Sequence, residues 1–280
     1  YPKWTSAAYR SNLDFYQAFR QLGLRLPEGD DFDLSNPSIL VAGCGTGHTA
    51  FEYASMTNKV VTAIDLSRAS LAYGSRKQIE SSCRNIEWYQ ADIMSLTSVD
   101  RKFELIDCCG VLHHLEKPRS GLNALVNLIK PGGLFKIALY SQAARRSLAG
   151  YRKLFKNLKL ENTEAGRRNF REILLQDESD EKTLELTRWR DFFSGNEFRD
   201  LLFHPQEHLY TVPELETLLE NSGLRFLSFD FGGANQAIYQ ALKTQAGEGF
   251  SPESLRSWAP VEEANPDLFS SMYVFWAQKI

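Results

Sequence analysis

The stretch Ile39-Leu40-Val41-Ala42-Gly43-Cys44-Gly45-Thr46-Gly47 decides the fold of this chain. Four apolar residues, suited to a short buried strand, run straight into a loop with glycine at every second position. Thr49–Met56 follows as a helical stretch. Strand, glycine turn and helix open a βαβ unit. In a doubly wound sheet that turn is the ligand crevice at the carboxyl end of the first strand. Glycine lets backbone approach a ligand closely, and the helix start offers free N–H groups. A nicotinamide enzyme needs glycine at the sixth position of G-x-G-x-x-G, where His48 stands. A phosphate loop needs Gly-Lys-Ser/Thr, which the loop lacks.

Outward from this loop the alternation continues. Val60–Asp65 is a β-branched strand ending in an acid, and Ser67–Ser81 is helical. Ile86–Gln90 and Phe103–Cys109 are the third and fourth strands, Gly121–Ile129 is helical, and Pro131-Gly132-Gly133 turns the chain into a fifth strand, Leu134–Tyr140. Strands alternating with helices predict βαβ units and a mostly parallel sheet. Thr211–Asn221 begins with a capping Thr and closes at Gly223. Leu224–Phe231 and Met272–Lys279 are the last strand candidates, joined by the Gly-, Pro- and Ser-rich residues 232–270.

Two segments break the alternation. Tyr9, Leu13, Tyr16 and Phe19 make an amphipathic stripe, so residues 1–35 are expected to be an N-terminal helical segment. Residues 142–210 are charged and helix-prone; residues 143–171 hold nine Lys or Arg against two acids. A bare loop of that length is uncommon, so the stretch is expected to be a helical cap, inserted before the sixth strand into a core of residues 36–141 and 211–280. A basic run beside the acidic residues 177–185 reads first as a solvated helix face.

Three sequence features carry candidate chemistry. Gly43, Cys44, Gly45 and Gly47 form the loop. Asp65 ends the second strand, where an acid accepts both ribose hydroxyls of a nucleoside, with Leu66 beside it. Asp92 and Ile93 follow the third strand, where a carboxylate accepts from an exocyclic adenine amine and a backbone N–H meets the ring nitrogen. A lone glycine turn or strand-end Asp is more often structural. The series in order is what points to a cofactor.

These residues resemble the class I S-adenosylmethionine-dependent methyltransferase family. Ile39–Gly47 is similar to its first motif, Ala63-Ile64-Asp65 to its second-strand acid and Ala91-Asp92-Ile93 to its adenine-contacting motif. Phe103–Leu115 is similar to the fourth motif and Leu128–Phe135 to the fifth, so the resemblance covers about residues 36–140. Ala42 departs from it, standing where many members carry an acid. The resemblance implies an α/β, Rossmann-like seven-stranded sheet with an antiparallel last strand, here with a helical insert. It implies S-adenosyl-L-methionine as cofactor and S-adenosyl-L-homocysteine as product, with Gly110 added to the cofactor contacts. A weaker resemblance of Tyr1-Pro2-Lys3-Trp4, His204–Pro213 and Met272–Lys279 to bacterial methyltransferase domains attached to tetratricopeptide arrays implies protein-binding repeats upstream.

Methyl transfer is an in-line displacement whose leaving group departs neutral, so alignment and exclusion of water matter more than acid catalysis. His113 is the candidate general base, since histidine titrates near neutral pH; its bland alternative is a pocket-wall residue. The cap is expected to fold over the crevice, with His114, Tyr140, Arg145, His204 and His208 lining the acceptor pocket. His204-Pro205-Gln206-Glu207-His208 spells an inverted zinc-protease motif, but Pro205 fits only a helix's first turn, so no metal is expected. The expected acceptor is an N or O nucleophile of a small molecule or protein side chain. The alternative is a non-catalytic S-adenosylmethionine-binding regulatory or scaffold domain.

Composition narrows the partners. The 280 residues carry a net charge of −3, so no basic field draws the chain to nucleic acid. The longest apolar runs fall far short of the about 20 residues a membrane span needs. Cys44, Cys83, Cys108 and Cys109 form no C-x-x-C pair and read as reduced thiols of a cytoplasmic protein. Tyr1 in place of Met reads as a piece of a longer or processed protein.

Overall fold

A computed structural model describes residues 15–21, 34–81, 83–176, 186–187, 190–246, 249–269 and 271–280. Seven strands form one sheet: β1 (Ile39–Ala42), β2 (Val61–Asp65), β3 (Ile86–Gln90), β4 (Phe103–Cys109), β5 (Ile129–Tyr140), β6 (Leu224–Phe229) and β7 (Met272–Lys279). Their order is β3-β2-β1-β4-β5-β7-β6. Neighbours from β3 to β5 pair in parallel, whereas β7 runs antiparallel to both β5 and β6. The chain reverses direction across the sheet between β1 and β4, which places a crevice at the carboxyl ends of β1, β2 and β4.

The period-2 alternation of each strand divides its side chains between two apolar layers. On one face Leu40, Ile106, Phe135 and Phe275 join a core closed by α4 (Pro118–Leu128), α8 (Val212–Glu220), α9 (Asn235–Ala246) and α10 (Leu255–Ala264). On the other, Ile39, Val41, Leu105 and Leu134 pack with α1 (Phe15–Gln21), α2 (His48–Ala54) and α3 (Arg68–Glu80). The amphipathic stripe read over residues 9–19 falls partly outside the described residues; Phe15 and Phe19 of α1 are buried in the second layer.

Between β5 and α8 lie α5 (Leu148–Asn157), α6 (Glu164–Gln176) and α7 (Gly195–Phe203). The chain divides into two compact units here. Arg145–Glu207 forms one, with its own apolar core of Tyr151, Phe155, Phe170, Phe192 and Phe198. The strands and remaining described helices belong to the other. The acidic run 177–185 lies outside the described residues.

Two departures from the sequence reading stand out. β5 begins at Ile129 rather than Leu134, because Ile129 pairs with Phe103 across an irregularity in the β4 ladder. Residues 232–270 are not a plain connection, since they hold α9 and α10.

Candidate functional site

The glycine loop is shaped by three left-handed glycines, Gly43 at φ 77°, Gly45 at 53° and Gly47 at 92°. Side chains rarely adopt this conformation, and two of the positions also lack room for one. A Cβ on Gly43 would stand 2.2 Å from Val111 Cγ2, and one on Gly47 the same distance from Trp88 Cη2. Gly45 differs, because a Cβ there would face open space. The loop is pinned to β2: the Gly43 and Cys44 N–H groups both donate to the Ile64 carbonyl, at 2.8 and 2.9 Å. Burial, then the nearby Asp65 charge, push the Cys44 thiol up to about 12, so it stays a neutral packing group.

Asp65 is the junction of the site. One carboxylate oxygen accepts from the Gly45 N–H at 2.8 Å and the other from the Ser67 N–H at 2.7 Å. A carboxylate offers about four lone-pair positions, so roughly two remain for a ligand's hydroxyls. Its backbone carbonyl accepts from Ala91 N–H, which ties the second acid-bearing turn to the first. Leu66 beside it is 61% exposed, an apolar side chain open to a flat ligand. Gln90 donates to the Leu66 carbonyl. Asp92 accepts from the Met94 N–H at 2.9 Å and caps the short helical turn Ile93–Ser98, whose first side chain is buried in the core. Gly110, at φ 76°, ends β4 with open space where a side chain would point. All nine expected cofactor contacts thus lie at or just beyond the carboxyl ends of β1 to β4.

A second cluster sits at the ends of β4 and β5. The His113 ring stacks on Tyr140 with centroids 3.7 Å apart, and His114 meets Tyr140 edge-on at 5.4 Å. The strand-like segment 208–210 is laced to it by backbone bonds. His208 N–H donates to the His113 carbonyl, and Tyr210 N–H to the Tyr140 carbonyl, each at 2.9 Å. His114, Tyr140 and His208 are therefore brought together. His113 has no exposed surface and packs as the wall behind Tyr140.

Arg145 and His204 belong to the other unit and are engaged inside it. The buried Arg145 guanidinium donates to Glu207 at 2.8 Å and to the Leu201 carbonyl at 2.9 Å, while Arg152 takes the other Glu207 oxygen at 2.6 Å. The His204 ring lies 2.7 Å from the Gln206 carbonyl. The H-x-x-E-H stretch is not helical: α7 ends at Phe203, and Glu207 serves the two arginines. Among the described residues no group of three or more His, Cys, Asp or Glu is placed to hold a metal ion.

Sequence reasoning passed over a polar group beneath the sheet's other face. Asp107 of β4, buried, accepts from the Tyr53 hydroxyl of α2 at 2.8 Å. Lys136 of β5 pairs at 3.0 Å with Asp230, which also accepts from the Trp276 indole at 3.0 Å. The available signal was a charge at Asp107, between Leu105-Ile106 and Cys108-Cys109, and another at Lys136, between Leu134-Phe135 and Ile137-Ala138.

Known proteins resemble this chain in sequence and in fold. Residues 39–133 match a family model described as a methyltransferase domain. An uncharacterised protein of Synechococcus sp. is 33% identical over 204 residues, 70% of this chain and 49% of that one. The ubiquinone biosynthesis O-methyltransferase of Azotobacter vinelandii is 32% identical over 101 residues, 36% of this chain and 43% of that protein. The chain thus spans about half the length of the curated relatives it matches. PKMT2 from Rickettsia typhi has a similar fold, with a TM-score of 0.66 at 15% identity over 99% of this chain and 54% of that one. Its complex with AdoHcy gives 0.64, at 15% identity over 94% and 51%.

Proposed function

We propose, from the premise that the core of this chain is a class I S-adenosylmethionine-dependent methyltransferase domain, that the protein moves a methyl group to an N or O nucleophile of a small molecule or protein side chain. The observation that carries this is the Asp65 junction. A half-buried carboxylate, held by two backbone N–H groups, keeps acceptor capacity beside Gly45, a left-handed glycine where a side chain would meet open space. These residues fit a nucleoside with a sulfonium tail. Asp65 takes the ribose hydroxyls, Leu66 borders the adenine, Asp92 accepts its amine while the Ile93 N–H meets the ring nitrogen, and Gly45 and Gly110 leave room for the amino-acid part. When bound, the cofactor supplies a methyl group on a positively charged sulfur.

The chain's own residues align and enclose. The Gly43 and Cys44 bonds to β2 fix the loop before any ligand arrives, which spares the ordering cost at binding. Tyr140 and His114 offer a polar aromatic surface at the end of the strands that hold the cofactor contacts, with His113 keeping Tyr140 in place. A neutral leaving group needs no acid, and a base helps only where the nucleophile arrives protonated.

Calorimetry with S-adenosylhomocysteine tests the reading. The wild-type chain binds it, and Asp65→Ala weakens binding more than His113→Ala does. Each charge-assisted hydrogen bond to a ribose hydroxyl contributes about 1.5–3 kcal/mol, so the Asp65 loss is tenfold or more. Equal affinity in the wild type and a folded Asp65 variant would overturn the site. Production of S-adenosylhomocysteine with any acceptor separates an enzyme from a domain that only binds.

A further inference from the structure

A cavity of about 590 Å³ lies between α1, α2 and the strands β4, β5 and β7, entirely within the unit that contains the sheet. It adjoins the cofactor loops by sequence at two points. Cys109 in its wall precedes Gly110, and Thr49 in its wall follows Gly47 by two residues. Four aromatic side chains, Phe15, Phe19, Tyr53 and Trp276, line part of its wall. Phe15 stacks on Tyr53 with centroids 5.8 Å apart, and Phe19 meets Trp276 at 4.5 Å. Asp107 and Lys136 lie among these rings.

Among the described lining residues, acids outnumber cations. Glu52 and Asp107 line it, Asp230 stands behind Lys136, and Lys136 is the one cation among the described lining residues. Lys136 gives its short contact to Asp230, at 3.0 Å. Burial pushes the Asp107 carboxyl up, against the Lys136 charge and the hydrogen bonds from Tyr53 and Cys109 that hold it down. Among the described residues Asp107 shares its counter-charge, Lys136, with Asp230, so this buried carboxylate gains from an incoming cation, and aromatic faces attract one further.

We infer that this cavity is the acceptor-binding pocket and that it selects an organic cation, an ammonium or guanidinium group carried on an apolar body. The inference rests on the methyltransferase reading for the word acceptor, but not for the binding of the cation. The charged group sits towards Asp107, and the apolar body lies against Phe15 and Phe19. The same chemistry is present in the α-ammonium of the cofactor, so the test separates the two sources.

Benzyltrimethylammonium is a suitable probe, because it keeps its charge at every pH and accepts no methyl group. Its binding is measured on the whole chain by calorimetry, with and without S-adenosylhomocysteine, beside benzoate as an anion of similar bulk. The expected result is binding of the cation and not of benzoate, weakened at least tenfold in Asp107→Asn, with S-adenosylhomocysteine affinity within twofold of wild type. Gly233→Leu, which adds bulk at the cavity wall where a Cβ meets no neighbour, blocks the cation in the same way and serves should Asp107→Asn fail to fold. Absence of cation binding, or equal binding by both variants and wild type, overturns the pocket. A matching loss of S-adenosylhomocysteine affinity in Asp107→Asn assigns the subsite to the cofactor and also overturns it. Cation binding by a chain that fails to bind S-adenosylhomocysteine would sink the methyltransferase reading while leaving the cation site standing.

Discussion

Gly45 and Gly47 share a backbone conformation but not an environment, and that contrast separates folding from binding within three residues. At Gly47 an added methyl meets the Trp88 ring at 2.2 Å, and Trp88 is itself anchored, its indole N–H donating to Gln78 at 2.6 Å. The ring cannot easily retreat, because the same ring atoms, Cη2 and Cζ3, also pack against Gly74 of α3. At Gly45 the same methyl meets nothing. A left-handed non-glycine residue costs about 1–2 kcal/mol by itself. Gly47→Ala is therefore expected to lose that amount plus the overlap with Trp88, seen as a clear fall in denaturant midpoint. Gly45→Ala is expected to lose only the conformational part, yet to weaken S-adenosylhomocysteine binding at least tenfold, because its methyl occupies the space the cofactor needs. Similar stability loss in both variants would contradict this division. This residue-level logic was readable from the chain only in part. The alternating glycines and Asp65 marked the site before any coordinates, but nothing in the sequence told which glycine guards packing and which guards the ligand, because Trp88 lies 41 residues from Gly47.

At the scale of elements, one acid staples the amino-terminal ends of three strands. Glu104 near the start of β4 accepts from the Ser38 N–H and hydroxyl just before β1, and pairs with Lys130 at the start of β5. Burial alone would raise this carboxyl. The Lys130 and Ser38 hydrogen bonds outweigh burial and hold it at about 2. A carboxyl lowered in the folded state stabilises the fold above its ordinary range, and that stability is lost as pH falls from there towards about 2. Glu104→Gln is expected to be less stable than wild type at neutral pH, and the gap should narrow on acidification through that window. Chemical denaturation at a series of pH values checks it, and a gap that stays constant would refute the staple. The sheet itself was legible: β1, β3, β4 and β7 have the limits that alternation and turn residues indicated, because strands with one or both faces buried advertise their period. The two helices within residues 232–270 were not. Gly232-Gly233 and Pro252 suggest turns, and Pro260 inside α10 removes a helix hydrogen bond. Tertiary packing overrides those signals. Leu255, Trp258 and Val261 recur at helical spacing and are buried, with Trp258 set among Phe229, Phe250 and Phe269. That triplet was the missed cue.

At the scale of the molecule, the division into two units sets what can be removed. The Arg145–Glu207 unit has a core of its own, and its buried charges close on each other, Glu207 taking both Arg145 and Arg152. The other unit holds the sheet, every expected cofactor contact and the aromatic cavity. Its two cut ends lie side by side. Gln142 N–H donates to the Tyr210 carbonyl at 2.8 Å, Ser141 bridges to Tyr210, and His208 is tied to His113. Closing so small a gap costs little chain entropy. Replacing Arg145–Glu207 by a short Gly/Ser linker is therefore expected to leave a folded domain that unfolds in a single cooperative step and binds S-adenosylhomocysteine within about threefold of the full chain. The ligand should raise the melting temperature of both forms, since it binds only folded protein. Benzyltrimethylammonium binding should survive as well, because the residues assigned to it are all retained. Loss of cooperative unfolding on excision would show that the sheet unit cannot stand alone. Loss of cofactor binding with the fold intact would move part of the cofactor site into the removed segment, against the placement of Asp65, Gly45 and Gly110 in one unit.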